Sequence, residues 1–241
     1  MTGDAAEMHA LIVADGDPPD RDALDRAWPG WRAGVALVVA ADGGAIGARQ
    51  AGLAVDLVVG DGDSLGASGL AELLARGVPI ETSPADKDQS DTELAILACL
   101  ARGARAITIV GAFGGRMDHT LANVWLLALP SLGERPVQLL DALTRIRLLC
   151  APTAEGGPAS MVLRGRPGDL VTLLPMGDDV HGITTDGLRY PLRNEPLRPG
   201  PARGLSNVRV GPSATISVAH GRLLIVESPA GNDGAPSAAR L

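Results

Sequence analysis

Asp61 and Asp63 are the first residues whose types and spacing suggest chemistry. They close the segment Leu57-Val58-Val59-Gly60-Asp61-Gly62-Asp63-Ser64, in which a short apolar run typical of a buried strand ends in polar residues. Residues two apart on an extended segment point to the same side, so the two carboxylates are expected to lie together. Mg²⁺, which binds one or two carboxylates and substrate phosphates, would stabilise such a pair. The alternative is a solvated turn, because Asp, Gly and Ser are common turn residues.

Three further predicted strands also end in polar side chains. These side chains are Asp42 after the first of them, Asp86, Lys87, Asp88 and Asp91 after the second, and Arg116, Asp118 and His119 after the third. Open parallel sheets bind ligands at the carboxyl ends of their strands. The convergence of charge at this edge therefore predicts a site for a metal ion and a phosphate.

Each of these residues also has an ordinary structural interpretation. Asp91 and Asp118 would be favourable at the N-termini of the helices that follow them. Lys87 could be a solvated surface cation, and His119 a histidine that bonds a neighbouring loop. The guanidinium of Arg116 is suited to bidentate phosphate binding. The preceding Gly114-Gly115 would also let the backbone approach a phosphate closely.

The elements that must position these residues alternate through the first part of the chain. Short apolar runs predict strands at 9–15, 35–40, 56–59, 78–82, 106–110 and 137–140, and helical segments are predicted at 17–28, 45–51, 68–76, 94–100 and 117–129. Ser90 followed by Glu93 has the form of a capping box at a helix start. This alternation predicts an α/β domain with a parallel sheet covered on both faces.

The sequence pattern changes after about residue 150, where helical periodicity disappears. Gly and Pro separate short strand-like segments at 160–163, 170–174, 182–185, 214–218 and 223–226, which predict an antiparallel β domain, a small sandwich or roll. We therefore expect domains at 1–150 and 151–241, with a linker near Gly156-Gly157-Pro158 and a disordered tail over 230–241.

Composition limits the classes of partner. The chain has 241 residues and a formal net charge of −7, which argues against binding to a nucleic-acid backbone. No basic region precedes an apolar signal segment, and no apolar run approaches membrane-spanning length. Cys99 and Cys150 have no metal-ligand spacing and are expected to be buried free thiols. A cytoplasmic, soluble protein is predicted.

Two other enzyme classes share part of this pattern. Asp61-Gly62-Asp63 resembles the nucleophile motif of haloacid-dehalogenase-type phosphatases, with Asp178-Asp179 as an imitation of their later acidic motif. That nucleophile normally ends the first strand of its domain, whereas two strand–helix units precede it here. An Asp-x-Asp pair also occurs in nucleotide-sugar glycosyltransferases, which nothing else in the chain supports.

Taken together, the motifs resemble the thiamine pyrophosphokinase family. They are Asp42-Gly43-Gly44-Ala45, Gly60-Asp61-Gly62-Asp63-Ser64, Lys87-Asp88-Gln89-Ser90-Asp91-Thr92-Glu93, Gly111-Ala112-Phe113-Gly114-Gly115-Arg116-Met117-Asp118-His119, Gly187-Leu188-Arg189-Tyr190-Pro191-Leu192 and Gly204-Leu205-Ser206-Asn207. The resemblance covers nearly the whole chain, from about Leu11 to Val226.

This resemblance implies an N-terminal α/β ATP-binding domain, a C-terminal β-sandwich that binds thiamine, and a homodimer. It also implies transfer of pyrophosphate from ATP to the thiamine hydroxyl, which gives thiamine diphosphate and AMP. By this resemblance the metal ligands come from Asp61, Asp63, Asp88 and Asp91. Lys87 and Arg116 would neutralise charge, and Asp91 or Asp118 would accept the hydroxyl proton. The nucleotide would contact Asp42, Gly43, Gly44, Gly114, Gly115, Arg116 and His119, and thiamine would contact Ser206 and Asn207.

The chain departs from the family pattern where the substrate would bind. The family often has an acid and an aromatic after Ser-Asn, but Val208-Arg209 stands here. Tyr190, Trp125 and Phe113 are available to stack on a ring, although each of these residue types is more often found in a core. Two alternatives therefore stay open, namely a pyrophosphokinase acting on a hydroxymethylpterin and a nucleotide or thiamine sensor without turnover.

Overall fold

The structure is a computed structural model that describes residues 8–82 and 88–231. Within it the chain separates into two compact units, Met1–Ala142 and Leu143–Leu241. The predicted disordered tail lies outside the described residues, apart from its first two positions.

The first unit is an α/β fold around a parallel sheet. Its strands are β1 His9–Val13, β2 Val35–Ala41, β3 Leu57–Val59, β4 Ile80–Glu81, β5 Ala106–Val110 and β6 Val137–Leu140. Its helices are α1 Arg21–Ala27, α2 Gly44–Gln50, α3 Gly66–Ala75, α4 Asp91–Ala101 and α5 Met117–Trp125. The strand order is β6-β5-β1-β2-β3-β4, and each of these pairs is parallel.

The apolar runs became strands because both faces of this sheet are buried. β1 and β5 each have four fully buried residues in a row. Trp28 and Trp31 pack beside Leu11, and the Trp28 indole N–H donates to the carbonyl of Asp141 at 2.7 Å. The interpretation of these two tryptophans as sheet-packing residues is confirmed.

Helix boundaries follow capping chemistry. Asp20 caps α1 by accepting from the backbone N–H of Ala23 at 2.9 Å, so α1 starts at Arg21 and not at the predicted position 17. Ser90 accepts from the N–H of Glu93 at 3.2 Å, which confirms the predicted cap of α4. α5 ends at Trp125, and its last predicted residues form a short 3₁₀ turn, Leu126–Ala128, before Leu129-Pro130.

The second unit is antiparallel. Its strands are β7 Arg145–Ala151, β8 Ala159–Arg164, β9 Leu170–Pro175, β10 Val180–Asp186, β11 Arg193–Leu197, β12 Asn207–Val208, β13 Ser213–Val218 and β14 Gly221–Ser228. Strands β12-β9-β14-β7 form one layer and β11-β10-β13-β8 the other. Apolar side chains of both layers, among them Leu163, Ile183, Ile216 and Ile225, meet in one core. The predicted sandwich is confirmed.

Strand β7 was not among the predicted strands, and it carries Arg145 and Arg147. They lie on the same side of the strand as Leu149 and Ala151, which enter the sandwich core. Both guanidinium groups pair with Glu227 of β14, whose side chain is 1% exposed. A carboxylate from a strand distant in sequence thus makes two arginines compatible with this position.

The predicted linker near Gly156-Gly157-Pro158 is wrong. Thr153 donates its backbone N–H to Gly157, and Gly156 donates to Thr153, each at 2.8 Å, so this segment is the turn that joins β7 to β8. It lies within the second unit.

The cysteines are both free, but only one is buried. Burial raises the pKa of the Cys99 thiol to about 12. Cys150 is exposed, contrary to the expectation, because it points away from the core at the end of β7. Among the described residues, no helix has the length and apolar character needed to span a membrane.

Candidate active site

The site lies where the sheet of the first unit changes direction. From β1 the strand order proceeds to β2, β3 and β4 on one side, while β5 and β6 lie on the other. Connections from β1 and β5 therefore leave the sheet in opposite directions and open a crevice at their carboxyl ends. The segments that follow these strands, Asp15-Gly16-Asp17 and Gly111–Gly115, lie side by side at this edge of the sheet.

Backbone hydrogen bonds join these two segments. Gly16 donates its N–H to Gly111 O at 2.8 Å, and Asp17 donates to Phe113 O at 2.7 Å. The approach is so close that a Cβ on Gly16 would lie 2.2 Å from Phe113 O. Only glycine fits at position 16, and the loop after β5 is thereby fixed relative to β1.

Asp42 connects the ends of β2 and β3. It is 7% exposed and has a left-handed backbone with φ 43°, a conformation that is uncommon for a residue other than glycine. Its N–H donates to Val59 O at 2.8 Å, and its carboxylate accepts from Gly62 N–H at 3.2 Å. Asp42 thus holds the Asp61-Gly62-Asp63 turn in place, a role that the sequence did not indicate.

Asp15 carries the clearest electrostatic signal of the site. Its pKa is raised, first by partial burial and then by the negative charges of Asp42 and Asp91, while His119 acts in the opposite direction. The charges of Asp42, after β2, and of Asp91, at the start of α4, therefore both act on Asp15, which follows β1. Such a place attracts a cation.

Of the predicted metal ligands, Asp61 and Asp88 are exposed and Asp91 is half-buried in the first turn of α4. The side chain of Asp63 lies outside the described residues, and so do Asp86 and Lys87. Among the described residues, no group of three or more His, Cys, Asp or Glu side chains is placed to hold a metal ion. The predicted metal set stays a prediction.

Arg116 and Asp118 form an exposed ion pair at the start of α5. The guanidinium donates to the carboxylate from Nε at 3.1 Å and from Nη2 at 2.5 Å. The hydrogen bond from Arg116 lowers the pKa of Asp118, and that from Asp118 raises the pKa of Arg116. Each of the two side chains is thus occupied by the other, and both are exposed.

The predicted glycines divide into two kinds. A Cβ on Gly43 would lie 2.2 Å from an Asp15 oxygen, one on Gly44 2.0 Å from Val13 O, and one on Gly114 2.0 Å from the Asp17 carboxyl carbon. These three glycines make room for the chain leaving β1. Gly115 differs from them, because nothing lies within 4 Å of the place of its Cβ and its φ of 62° is what favours glycine.

In the second unit, Ser206 and Asn207 lie at the start of β12. Ser206 is exposed, with φ 52°, and donates its backbone N–H to Thr172 Oγ1 at 2.9 Å. Asn207 is 9% exposed, and its side chain bonds the backbone of Tyr190. The two residues therefore have different surroundings although they are adjacent.

Val208-Arg209 stands where the family often has an acid and an aromatic. Of these two residues, Arg209 does not face solvent. Its side chain is 0% exposed, donates to Leu163 O and to Glu227 Oε1 at 2.6 Å each, and lies beside Asp169. It joins Arg145, Arg147 and Glu227 in the buried ionic cluster of the sandwich. Its role is structural.

Two of the three aromatics considered as ring partners are exposed, contrary to their usual core location. Tyr190 is 66% exposed and Trp125 is 58% exposed, whereas Phe113 is half-buried.

Sequence reasoning missed Asp15 and Asp17. A signal was available, because Asp-Gly-Asp ends β1 as Asp15-Gly16-Asp17 and ends β3 as Asp61-Gly62-Asp63. Asp17 was assigned to the start of a helix because Pro18 and Pro19 follow it.

Comparison with known proteins places this arrangement in a family. The family model for the thiamin pyrophosphokinase catalytic domain matches residues 31–137, and the model for the thiamin pyrophosphokinase vitamin B1 binding domain matches residues 161–223. Together the two ranges cover more than half of the chain. The chain belongs to the thiamine pyrophosphokinase family. It is therefore an enzyme of the transferase class.

Individual members of the thiamine pyrophosphokinase family agree with this assignment. Thiamine pyrophosphokinase of Bacillus subtilis is 27% identical over 192 residues, which are 80% of this chain and 87% of that protein. Its crystal structure aligns with a TM-score of 0.76 at 25% identity, covering 92% of this chain and 99% of that one. Thiamin pyrophosphokinase from Geobacillus thermodenitrificans aligns with a TM-score of 0.74 at 27% identity, covering 93% and 99%.

A more distant member supports the fold alone. Thiamin pyrophosphokinase from Candida albicans aligns with a TM-score of 0.74 at 18% identity, covering 92% of this chain and 89% of that one.

Proposed function

We propose that this protein transfers pyrophosphate from ATP to the hydroxyl of thiamine in a Mg²⁺-dependent reaction, giving thiamine diphosphate and AMP. The observation that carries the proposal is the meeting of carboxylates from separate strand ends at the sheet's change of direction, in a chain of this family. Oxygen of the hydroxyl forms a bond to the β-phosphorus, the bond from that phosphorus to the α–β bridging oxygen breaks, and AMP leaves.

The residues present fit a magnesium ion. The negative charges of Asp42 and Asp91 act on Asp15, so positive charge near Asp15 would be stabilising. Mg²⁺ is usually held by one or two carboxylates together with water and substrate phosphates, so a complete protein cage is not needed. Asp61, Asp63, Asp88 and Asp91 are the proposed ligands. When bound, the ion would supply charge neutralisation on the triphosphate.

The loop after β5 would bind the phosphates. Gly115 has open space where a side chain would be, and Arg116 next to it carries a planar donor suited to phosphate oxygens. Backbone hydrogen bonds from Gly16 and Asp17 hold Gly111 and Phe113 in place, and Arg116 would turn from Asp118 to the phosphates. In phosphoryl-transfer enzymes, positioning and electrostatic stabilisation supply most of the rate. Lys87 is proposed to add a second cation, and His119 and Asp42 to border the nucleotide.

Asp91 and Asp118 are the two proposed proton acceptors. The hydrogen bond from Arg116 lowers the pKa of Asp118, so Asp118 would accept the proton once Arg116 has turned to the phosphates. Ser206, exposed at a left-handed turn, is the proposed polar contact for thiamine in the second unit. Asn207 contributes in a different way, described below.

We further propose a cytoplasmic homodimer. Met117, Leu121 and Trp125 lie at helical spacing on one side of α5 and are 69%, 53% and 58% exposed. An exposed apolar stripe on a helix is typical of an interaction surface. Size-exclusion chromatography with light scattering would test this, and a monomer at micromolar concentration would contradict it.

The decisive test is an analysis of products. The purified protein is incubated with ATP, MgCl₂ and thiamine, and nucleotides and thiamine esters are separated by chromatography. AMP and thiamine diphosphate in equal amounts are expected, with loss of both on addition of EDTA. ADP as the nucleotide product would refute pyrophosphoryl transfer. Consumption of a hydroxymethylpterin but not of thiamine would show that the acceptor is the pterin. ATP binding without any product would show that the protein is a sensor without turnover.

A further inference from the structure

Tyr190 is an unusual residue in this chain. It is the single tyrosine, and residues 143–241 contain no other aromatic side chain. It lies between β10 and β11 and is 66% exposed, whereas Leu188 and Leu192 on either side are 5% and 7% exposed. The apolar residues of this connection thus enter the core while its one aromatic ring remains in solvent.

The backbone near Tyr190 is held by a ladder of backbone hydrogen bonds that lies outside the regular strands. Val210 donates its N–H to Gly187 O at 3.0 Å, and Arg189 donates to Val208 O at 2.8 Å. At the next position the partner strand turns away, because Ser206 adopts a left-handed backbone with φ 52°. The ladder would end there if only backbone groups were available.

Asn207 continues the ladder with its side chain. Its Oδ1 accepts from Tyr190 N–H at 3.0 Å, and its Nδ2 donates to Tyr190 O at 2.7 Å. The same Oδ1 accepts from Val208 N–H at 2.9 Å, which orients the carboxamide. A primary amide is the group that can supply an acceptor and a donor side by side, as a peptide does. Aspartate lacks the donor, and alanine lacks both.

Proline fixes the ring's backbone from the other side. Pro191 follows Tyr190 and restricts it to extended conformations. With both its N–H and its C=O bonded to Asn207, Tyr190 has little backbone freedom, and only its two side-chain torsions vary. A ring presented in this way binds a flat ligand with little further loss of conformational entropy.

We propose that Tyr190 is the surface on which the cationic heteroaromatic ring of the substrate stacks, with Asn207 as the positioning residue that fixes it. This inference rests on the proposed function, since thiamine carries a thiazolium cation beside an aminopyrimidine. A tyrosine face attracts a ring cation through its quadrupole and also gains stacking contact. It also gives Asn207 a role other than the direct thiamine contact implied by resemblance.

The first test separates binding of the two substrates. Tyr190→Ala is expected to raise KM for thiamine about tenfold, the loss typical of one stacked cation–π pair. KM for ATP and kcat should stay at their wild-type values, since the proposed contact is made equally in ground state and transition state. Tyr190→Phe, which retains the ring, should restore most of the lost affinity. Val210→Ala removes exposed apolar surface from the adjoining strand end and serves as the matched control.

The second test asks whether Asn207 acts through Tyr190. Asn207→Ala should also raise KM for thiamine several-fold, and the double variant Asn207→Ala/Tyr190→Ala should be no worse than Tyr190→Ala alone. A purely structural asparagine would lower the melting temperature and add its effect on KM in full. Asn207→Asp keeps the shape and the acceptor, and it replaces Asn207→Ala should that variant not fold.

The outcomes distinguish this inference from the proposed function. If the wild-type protein forms no thiamine diphosphate, the proposed function fails. If it does, and Tyr190→Ala leaves KM for thiamine unchanged, only the stacking role is overturned. Full additivity of the two substitutions would overturn the positioning role of Asn207.

Discussion

The pKa values of buried or partly buried acids shift in opposite directions in the two units. In the first, partial burial and then the negative charges of Asp42 and Asp91 raise the pKa of Asp15. In the second, burial alone would raise the pKa of Glu227, but hydrogen bonds and charge from Arg145 and Arg147 outweigh it, and the pKa is lowered. Carboxylates that are internally neutralised stabilise a fold, whereas carboxylates left with excess negative charge are ready for a ligand.

The largest effect is expected at the buried cluster. Glu227→Gln leaves Arg145, Arg147 and Arg209 without their shared carboxylate and should reduce the free energy of unfolding by about 3–5 kcal/mol. Urea unfolding followed by circular dichroism measures this. The matched control is Glu195→Gln, which removes the partly exposed pair with Arg203 and should cost at most about 1 kcal/mol.

The pH dependence of the same variant sharpens this expectation. A depressed pKa in the folded state means that the contribution of Glu227 is present above its unfolded pKa of about 4.5 and is lost as the pH falls through the folded value. The wild-type protein should therefore lose stability in acid more steeply than Glu227→Gln. Equal free energies of unfolding for the wild-type protein and Glu227→Gln at neutral pH would contradict a stabilising role of Glu227 in the second unit.

In the first unit the corresponding substitution should affect rate and leave stability nearly unchanged. Asp91→Asn is expected to lower kcat for AMP formation about 10²-fold, because it removes a carboxylate proposed as a metal ligand or as the proton acceptor. Asp178→Asn, an exposed acid of the second unit, is the control and should retain full activity. A fully active Asp91→Asn protein would contradict the proposed site.

A smaller effect is expected for Arg116. Arg116→Ala should raise KM for ATP about tenfold, since a hydrogen bond to a charged group contributes about 1.5–3 kcal/mol. Its exposed pair with Asp118 contributes little to stability, so the melting temperature should not change. Arg203→Ala removes an arginine of similar exposure from the second unit, and its KM for ATP should match that of the wild-type protein.

The smallest effect concerns Asp15. Because its folded pKa is raised above 3.8, the ionised carboxylate destabilises the folded state at neutral pH. Asp15→Asn should therefore stabilise the protein slightly at pH 7. This gain should decline as the pH falls through the folded pKa and vanish below 3.8, where both states are protonated. Loss of stability in Asp15→Asn at pH 7 would show that Asp15 is structural.

Sequence patterns predicted most elements because the forces behind them are local. The β5 and β6 strands have the predicted bounds, and the Ser90 cap starts α4 as expected. Strand β7 could not be found, because the carboxylate that makes its arginines compatible with burial comes from β14. The linker near Gly156 was misread because Gly and Pro punctuate hairpin turns as well as domain boundaries.

By itself the sequence determined the order of an α/β unit and then a β unit, the family, and the acids that follow the strands. Hydrophobic periodicity and the residue types after each strand depend only on residues close together in the chain. Only the tertiary structure decided what those residues contact. It placed Asp15 beside Asp42 and Asp91, buried Arg209 against Glu227, and bound the Asn207 amide to Tyr190. Charge and hydrogen bonding act through space, and the partner of a polar group is fixed by which strands pair, a property that spacing along the chain does not contain.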